Sequence, residues 1–186
     1  EDLTLALTLP TLDLEELDIN GELFQALTIP GGSLEGANGL PALPTITRLI
    51  TVPTGAFVTP RVTATERTDL AGYRLLPMQP DNTDALVIDR AAYRTALAAQ
   101  PAVEVGEPAI FRDLRVVPVT FRPVSYDPVA GKVTVAHRME VAFTFSDGDD
   151  REPAPPAKGY IPSSFVDMYE DLVVNYGAGD AGRSAA

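Results

Sequence analysis

Leu3, Leu5, Leu7 and Leu9 alternate with Thr4, Ala6 and Thr8, and a period of two marks a strand with one apolar face. Asn20 and Gly21 then punctuate the chain ahead of a second strand pattern from Leu23 to Ile29, which closes at Pro30, Gly31 and Gly32. From Gly31 to Pro44 glycine and proline are too frequent for a regular ladder, so this stretch reads as a crossing loop. Thr45 to Val52 is β-branched and apolar, and after Pro53, Thr54 and Gly55 another strand runs from Ala56 to about Thr65; the spacing predicts that the two form a hairpin. The sharpest pattern lies between Leu114 and Phe145, where two long strand runs flank the turn residues Tyr126 to Gly131 and predict a long β-hairpin. In its second arm Val133, Val135, His137, Met139, Val141, Phe143 and Phe145 fall on one face, which should point at the core.

Two segments break from the period of two. Asp89 can cap a helix whose body, Arg90 to Ala99, is rich in good helix formers and stops at Pro101. Near the end, Ser163 or Ser164 can cap a second helix, with Phe165, Met168, Tyr169, Leu172 and Val173 at helical spacing. The expected fold is mainly β: an antiparallel, jelly-roll-like β-sandwich with one short inserted helix and a C-terminal helix. Residues 1–146 would form the sandwich, 147–162 an acidic and proline-rich linker, 163–176 a helix packing back on the domain, and 177–186 a flexible tail leading to a further domain. No internal repeat is evident.

The chain has 186 residues, and at that size a single domain buries roughly 70% of its unfolded surface without help from disulfides or metals. It has no cysteine, which removes disulfides, thiolate zinc sites and a cysteine nucleophile. No stretch reaches the roughly 20 apolar residues of a membrane-spanning helix, so membrane insertion is not expected. With 26 acidic against 14 basic residues the net charge is −12, which repels phosphate backbones and makes nucleic acid an unfit partner. Glu1 follows no basic and apolar leader, which fits a removed signal peptide or a trimmed chain.

Candidate chemistry is sparse. His137 is the single histidine, so any imidazole mechanism would have to be built on it, and its apolar strand neighbours suggest a partly buried structural side chain. Asp147, Asp149, Asp150 and Glu152 offer oxygen ligands for calcium but lack EF-hand spacing, and Asp81, Asn82 and Asp84 form a smaller acidic turn; both read as solvated turns. Gly31, Gly32, Gly36 and Gly39 match no phosphate-binding loop. Nothing sets Glu15 and Glu16, or Asp127 and Glu140, across a cleft as a glycosidase pair. The sequence thus names no catalytic residue, no metal site and no cofactor, and carries no signal of oligomeric state.

One set of residues, taken in order, carries a resemblance. Gly39, Pro41, Leu43 and Pro44 are followed by Val52, Pro53 and Gly55, then by Tyr93 and Pro101 ahead of Val103, Val105 and Gly106. Val117 and Val119 come next, then Pro123, Tyr126, Asp127 and Pro128, with Val133 and Val135 after the turn and Leu172, Val173 and Asn175 near the end. From about Gly21 to Tyr176 the chain resembles the N-terminal propeptide of gingipain-type cysteine peptidases. That resemblance implies a secreted, non-catalytic β-sandwich that assists folding of a following peptidase domain, shields its active-site cleft and is later cleaved away.

In arginine-specific members a basic propeptide side chain enters the specificity pocket, and no motif here fixes which one would do so. The exposed-segment candidates are Arg61, Arg67, Arg74, Arg151 and Lys158, and Arg183 in the small-residue tail is the candidate for processing. The alternative reading is a secreted surface adhesin or carbohydrate-binding sandwich.

Overall fold

The computed structural model describes residues 3–9, 11–81, 85–112, 114–146, 148 and 163–176. The strands are β1 (Leu3–Thr8), β2 (Asp13–Ile19), β3 (Glu22–Thr28), β4 (Ser33–Glu35), β5 (Leu43–Thr51), β6 (Phe57–Ala71), β7 (Val103–Val105), β8 (Ala109–Phe111), β9 (Leu114–Phe121), β10 (Val124–Asp127) and β11 (Lys132–Ser146), and a helix α1 spans Ser163–Leu172. β11 is the hub of one antiparallel sheet: β6 runs along one side of it, and β10 and β1 share the other. The second sheet runs β4-β5-β9-β7, with β8 also on β9. The inner faces meet in one core, to which the first sheet gives Met139, Val141 and Phe143 and the second gives Ile46, Ile50, Val117, Val119 and Phe121. The expected antiparallel sandwich is present.

β2 and β3 form a separate two-stranded hairpin. Its turn holds Asn20 at φ 56° and Gly21 at φ 79°, the left-handed pair that a two-residue turn of matching twist requires. The strand pattern of β2 escapes period-two reading because Glu15 and Glu16 are adjacent and the strand is mostly exposed.

Four expectations are corrected by the tertiary arrangement. β5 and β6 do not form a hairpin: β5 pairs with β4 and β9, and β6 with β11. The Pro53–Ala56 connection carries the chain from one sheet to the other and is held by Arg115 of β9, whose guanidinium donates to the carbonyls of Pro53 at 2.9 Å and Ala56 at 3.3 Å. The long hairpin between Leu114 and Phe145 is also divided. Only β10 pairs with β11, while β9 belongs to the other sheet; the chain changes sheets at Arg122 and Pro123, and proline supplies no ladder donor there.

The inserted helix is reduced to one 3-10 turn, Ala92–Arg94. Asp89 does cap it, accepting from the amides of Ala91 at 2.9 Å and Ala92 at 3.2 Å. The alanines that follow carry helix propensity but little apolar surface to bury, and short helices are marginal without packing. Lastly, His137 is exposed, not core-facing. The register of β11 on β6 slips between Ala136 and Arg138, a bulge that adds one residue and breaks the alternation. Ala136 is buried in its place, and His137 Nε2 lies 2.7 Å from Thr68 Oγ1.

Candidate functional site

The cations divide into those committed to holding the fold and those left on its surface. Arg122, where β9 ends, has only 13% of its side chain exposed and grips Glu35 of β4 at 2.7 Å and Glu104 of β7 at 2.6 Å. It also donates to the Pro101 carbonyl at 3.2 Å. Its hydrogen bond to Glu35 holds the Glu35 carboxyl below the usual carboxylate range, against the opposing effect of burial. Arg115 is buried, Lys132 pairs with Asp69 at 3.3 Å, and Arg138 pairs with Glu140 at 2.8 Å.

Arg74, a candidate anchor on sequence grounds, lies in a similar clamp. It meets Glu22 of β3 at 2.7 Å and lies over the Phe24 ring at 4.6 Å. Arg90 reaches the same carboxylate through two bonds, at 2.6 and 3.2 Å. The Arg90 bonds and then Arg74 draw the Glu22 carboxyl from its ordinary 4.5 down to about 2. Arg74 thereby fastens the stretch after β6, and Arg90 the inserted segment, to the β2–β3 hairpin.

Arg61 and Arg67 are different. Both are exposed on β6, opposite Ala142 and Ala136 of β11, and neither forms an ion pair among the described residues. Arg67 stands at the rim of a cavity of about 510 Å³ between the two sheets, where Leu43, Leu97, Val124 and Met139 make an apolar lining. Arg151, Lys158, Arg183 and the acidic residues Asp147, Asp149, Asp150 and Glu152 lie outside the described residues, as do Asn82 and Asp84. Among the described residues no three His, Asp or Glu side chains converge as a metal site would need. The aromatic rings are mostly core: Phe24, Phe121, Tyr126, Phe143 and Tyr169 are buried, and Phe57 is an exposed exception.

Sequence reasoning passed over Arg112. It lies between β8 and β9, is exposed, and has φ 57°, one of two non-glycine residues with a left-handed backbone among those described. Such conformations are costly outside glycine and gather at functional positions. The signal available in the sequence was the two-residue gap between the Ala109–Phe111 run and Leu114. The turn end of this hairpin is packed against the C-terminal helix: the Phe111 and Tyr169 rings meet edge to face at 5.7 Å, and Tyr169 contacts Tyr176 at 5.1 Å.

The segment after α1 is fastened too. Asn175 accepts from the Thr51 amide at 2.7 Å and donates to the Thr51 carbonyl at 3.0 Å, while the Val174 amide donates to the Leu49 carbonyl. The end of the described chain is therefore fixed beside β5 and close to the Arg112 hairpin.

Known proteins share this fold. Lys-gingipain of Porphyromonas gingivalis is 29% identical over 152 residues, which is 75% of this chain and 9% of that relative, so the chain corresponds to a small part of it. A solved structure described as structural insight into zymogenic latency of gingipain K from Porphyromonas gingivalis superposes with a TM-score of 0.69 at 26% identity, covering 79% of this chain and 88% of that one. A second, a complex of Porphyromonas gingivalis RgpB pro- and mature domains, shares the fold with a TM-score of 0.77 at 18% identity, over 95% of this chain and 92% of that one. The family model Propeptide_C25 matches residues 4–172, and on that match across nearly its whole length the chain belongs to the Propeptide_C25 family.

Proposed function

We propose that this chain is the non-catalytic propeptide of a gingipain-type cysteine peptidase, which assists folding of the peptidase domain that follows it and covers that domain's active-site cleft outside the cell. The observation that carries this reading is the family match over residues 4–172, together with the likeness to a gingipain K structure described in terms of zymogenic latency. The distribution of charge agrees: some arginines hold the sandwich together, and others lie on the surface where a partner can reach them.

Among the exposed arginines Arg112 is the best placed to enter a specificity pocket. It is exposed in the turn between β8 and β9, it has a left-handed backbone, and its hairpin adjoins the segment after α1. Preorganised anchors of this kind lower the entropy cost of binding. Arg61 and Arg67 are the next candidates, Arg74 is paired with Glu22, and Arg151 and Lys158 complete the panel, with Arg183 as the point of processing.

The test adds the purified propeptide to the mature peptidase of the same precursor and measures inhibition. Arg112→Ala is expected to weaken inhibition by about a hundredfold or more, the scale of truncating a buried interface anchor, with Arg61→Ala and Arg67→Ala close to the parent. Equal inhibition by every arginine variant would remove the basic anchor and leave steric covering. No inhibition by the parent propeptide would overturn the reading itself.

A further inference from the structure

Among the described residues the outer edge of the β2–β3 hairpin is an open ladder, and the turn sets its polarity. The two-residue Asn20–Gly21 turn makes Ile19 and Glu22 a hydrogen-bonded pair, so Asp13, Glu15 and Leu17 direct their backbone groups at β3 while Leu14, Glu16 and Asp18 direct theirs away. The same alternation sends the Gln25 backbone out of the far side of β3. There its amide donates to the Arg74 carbonyl at 2.9 Å and its carbonyl accepts from the Leu76 amide at 2.8 Å, which confirms the phase. β3 is thus paired on both sides. The outward amides and carbonyls of Leu14, Glu16 and Asp18 meet no backbone partner among the described residues.

Natural proteins blunt such an edge with proline, a bulge or charged side chains, lysine above all. Over Asp13–Ile19 there is no proline and no lysine, and the pairing runs without a register slip. The side chains instead give the edge one sign. Asp13, Glu15, Glu16 and Asp18 are all exposed, and none forms an ion pair among the described residues. Leu14 is 48% exposed and Leu23, on the same face, is 50% exposed.

Two copies pairing through β2 would bring carboxylates beside carboxylates, and like charges across strands are destabilising. The edge therefore rejects its own copy and suits a strand with Lys or Arg at alternating positions. The backbone of such a strand completes the ladder while its cations meet the carboxylates of one face, Asp13 with Glu15 or Glu16 with Asp18. We propose that β2 is a docking edge for an extended basic segment of a partner protein, taken up as an added strand. This does not depend on the peptidase reading or on any arginine of this chain.

The probe is a heptapeptide alternating Lys and Val, titrated against the full chain at low salt, with an alternating Glu and Val heptapeptide as control. The Lys peptide is expected to bind and to weaken as salt rises, because exposed charges are screened; the Glu peptide is expected not to bind. Glu16→Pro removes one outward amide without touching a β2–β3 bond, and it should weaken binding by about tenfold with the fold retained. Glu15→Gln with Glu16→Gln keeps the backbone intact and should cost about tenfold through charge alone. Failure of the Lys peptide to bind at low salt, equal binding of the Glu peptide, or unchanged binding to both variants would overturn the proposal.

Discussion

β11 and β2 are both strands of regular antiparallel ladders, yet they stand at opposite limits of confinement. β11 is flanked on both sides by other strands and gives Val133, Val141 and Phe143 to the interior at 0% exposure. Among the described residues β2 has a neighbour on one side alone, and it buries none of its side chains fully. The difference shows that sheet membership does not set a strand's role. Where both edges and one face are enclosed, side-chain volume decides stability; where an edge is open, charge and backbone polarity decide what can approach.

The largest expected effect lies on the confined side. Phe143→Ala deletes a fully buried ring between the two sheets and should cost about 3–5 kcal/mol by chemical denaturation. Leu14→Ala on the open hairpin should stay within about 0.5 kcal/mol. Comparable losses at the two positions would undo the contrast.

A middle effect belongs to the point where the hairpin is fastened to the rest of the molecule. Glu22 is held at about 2 in the folded state against an ordinary 4.5, so the stability it contributes is present above about pH 4.5 and drains away as pH falls toward 2. Thermal melts between pH 2 and 6 should show Glu22→Gln with a lower Tm than the parent at pH 6 and a shallower decline on acidification. Parallel curves would mean that the Arg74 and Arg90 contacts do not steady the hairpin.

The smallest effect refines the contrast from inside β11. His137→Ala should change stability by no more than about 0.5 kcal/mol, because the bulge places this side chain in solvent although the strand around it is core. A loss near that of Phe143→Ala would return His137 to the interior.

Legibility followed the range of the interactions. The alternation along Leu3–Leu9 and along Val133–Phe145 is readable because a residue's neighbours two positions away share its face, so Met139, Val141 and Phe143 are recognisable as core, and they are buried. The Asn20–Gly21 turn and the α1 periodicity are equally local. His137 escapes this reading because a bulge arises from a mismatch between two paired strands, which no single strand's sequence displays. Arg74 looks like a surface cation in the sequence because Glu22 and Phe24 reach it from some fifty positions away in the chain.

Strand richness, acidity, the lack of cysteine and, through the ordered set from Gly39 to Asn175, the propeptide character all belong to the sequence alone. Local sterics and side-chain chemistry suffice for those properties. The rest was settled in three dimensions: β5 and β6 lie in different sheets, β9 and β11 part company at Pro123, Arg122 and Arg74 are clamps, Arg112 has a left-handed backbone, and β2 keeps an open edge among the described residues. Each of these depends on which distant segments lose water against one another, and that choice is made by burial summed over the whole fold rather than by any one stretch of chain.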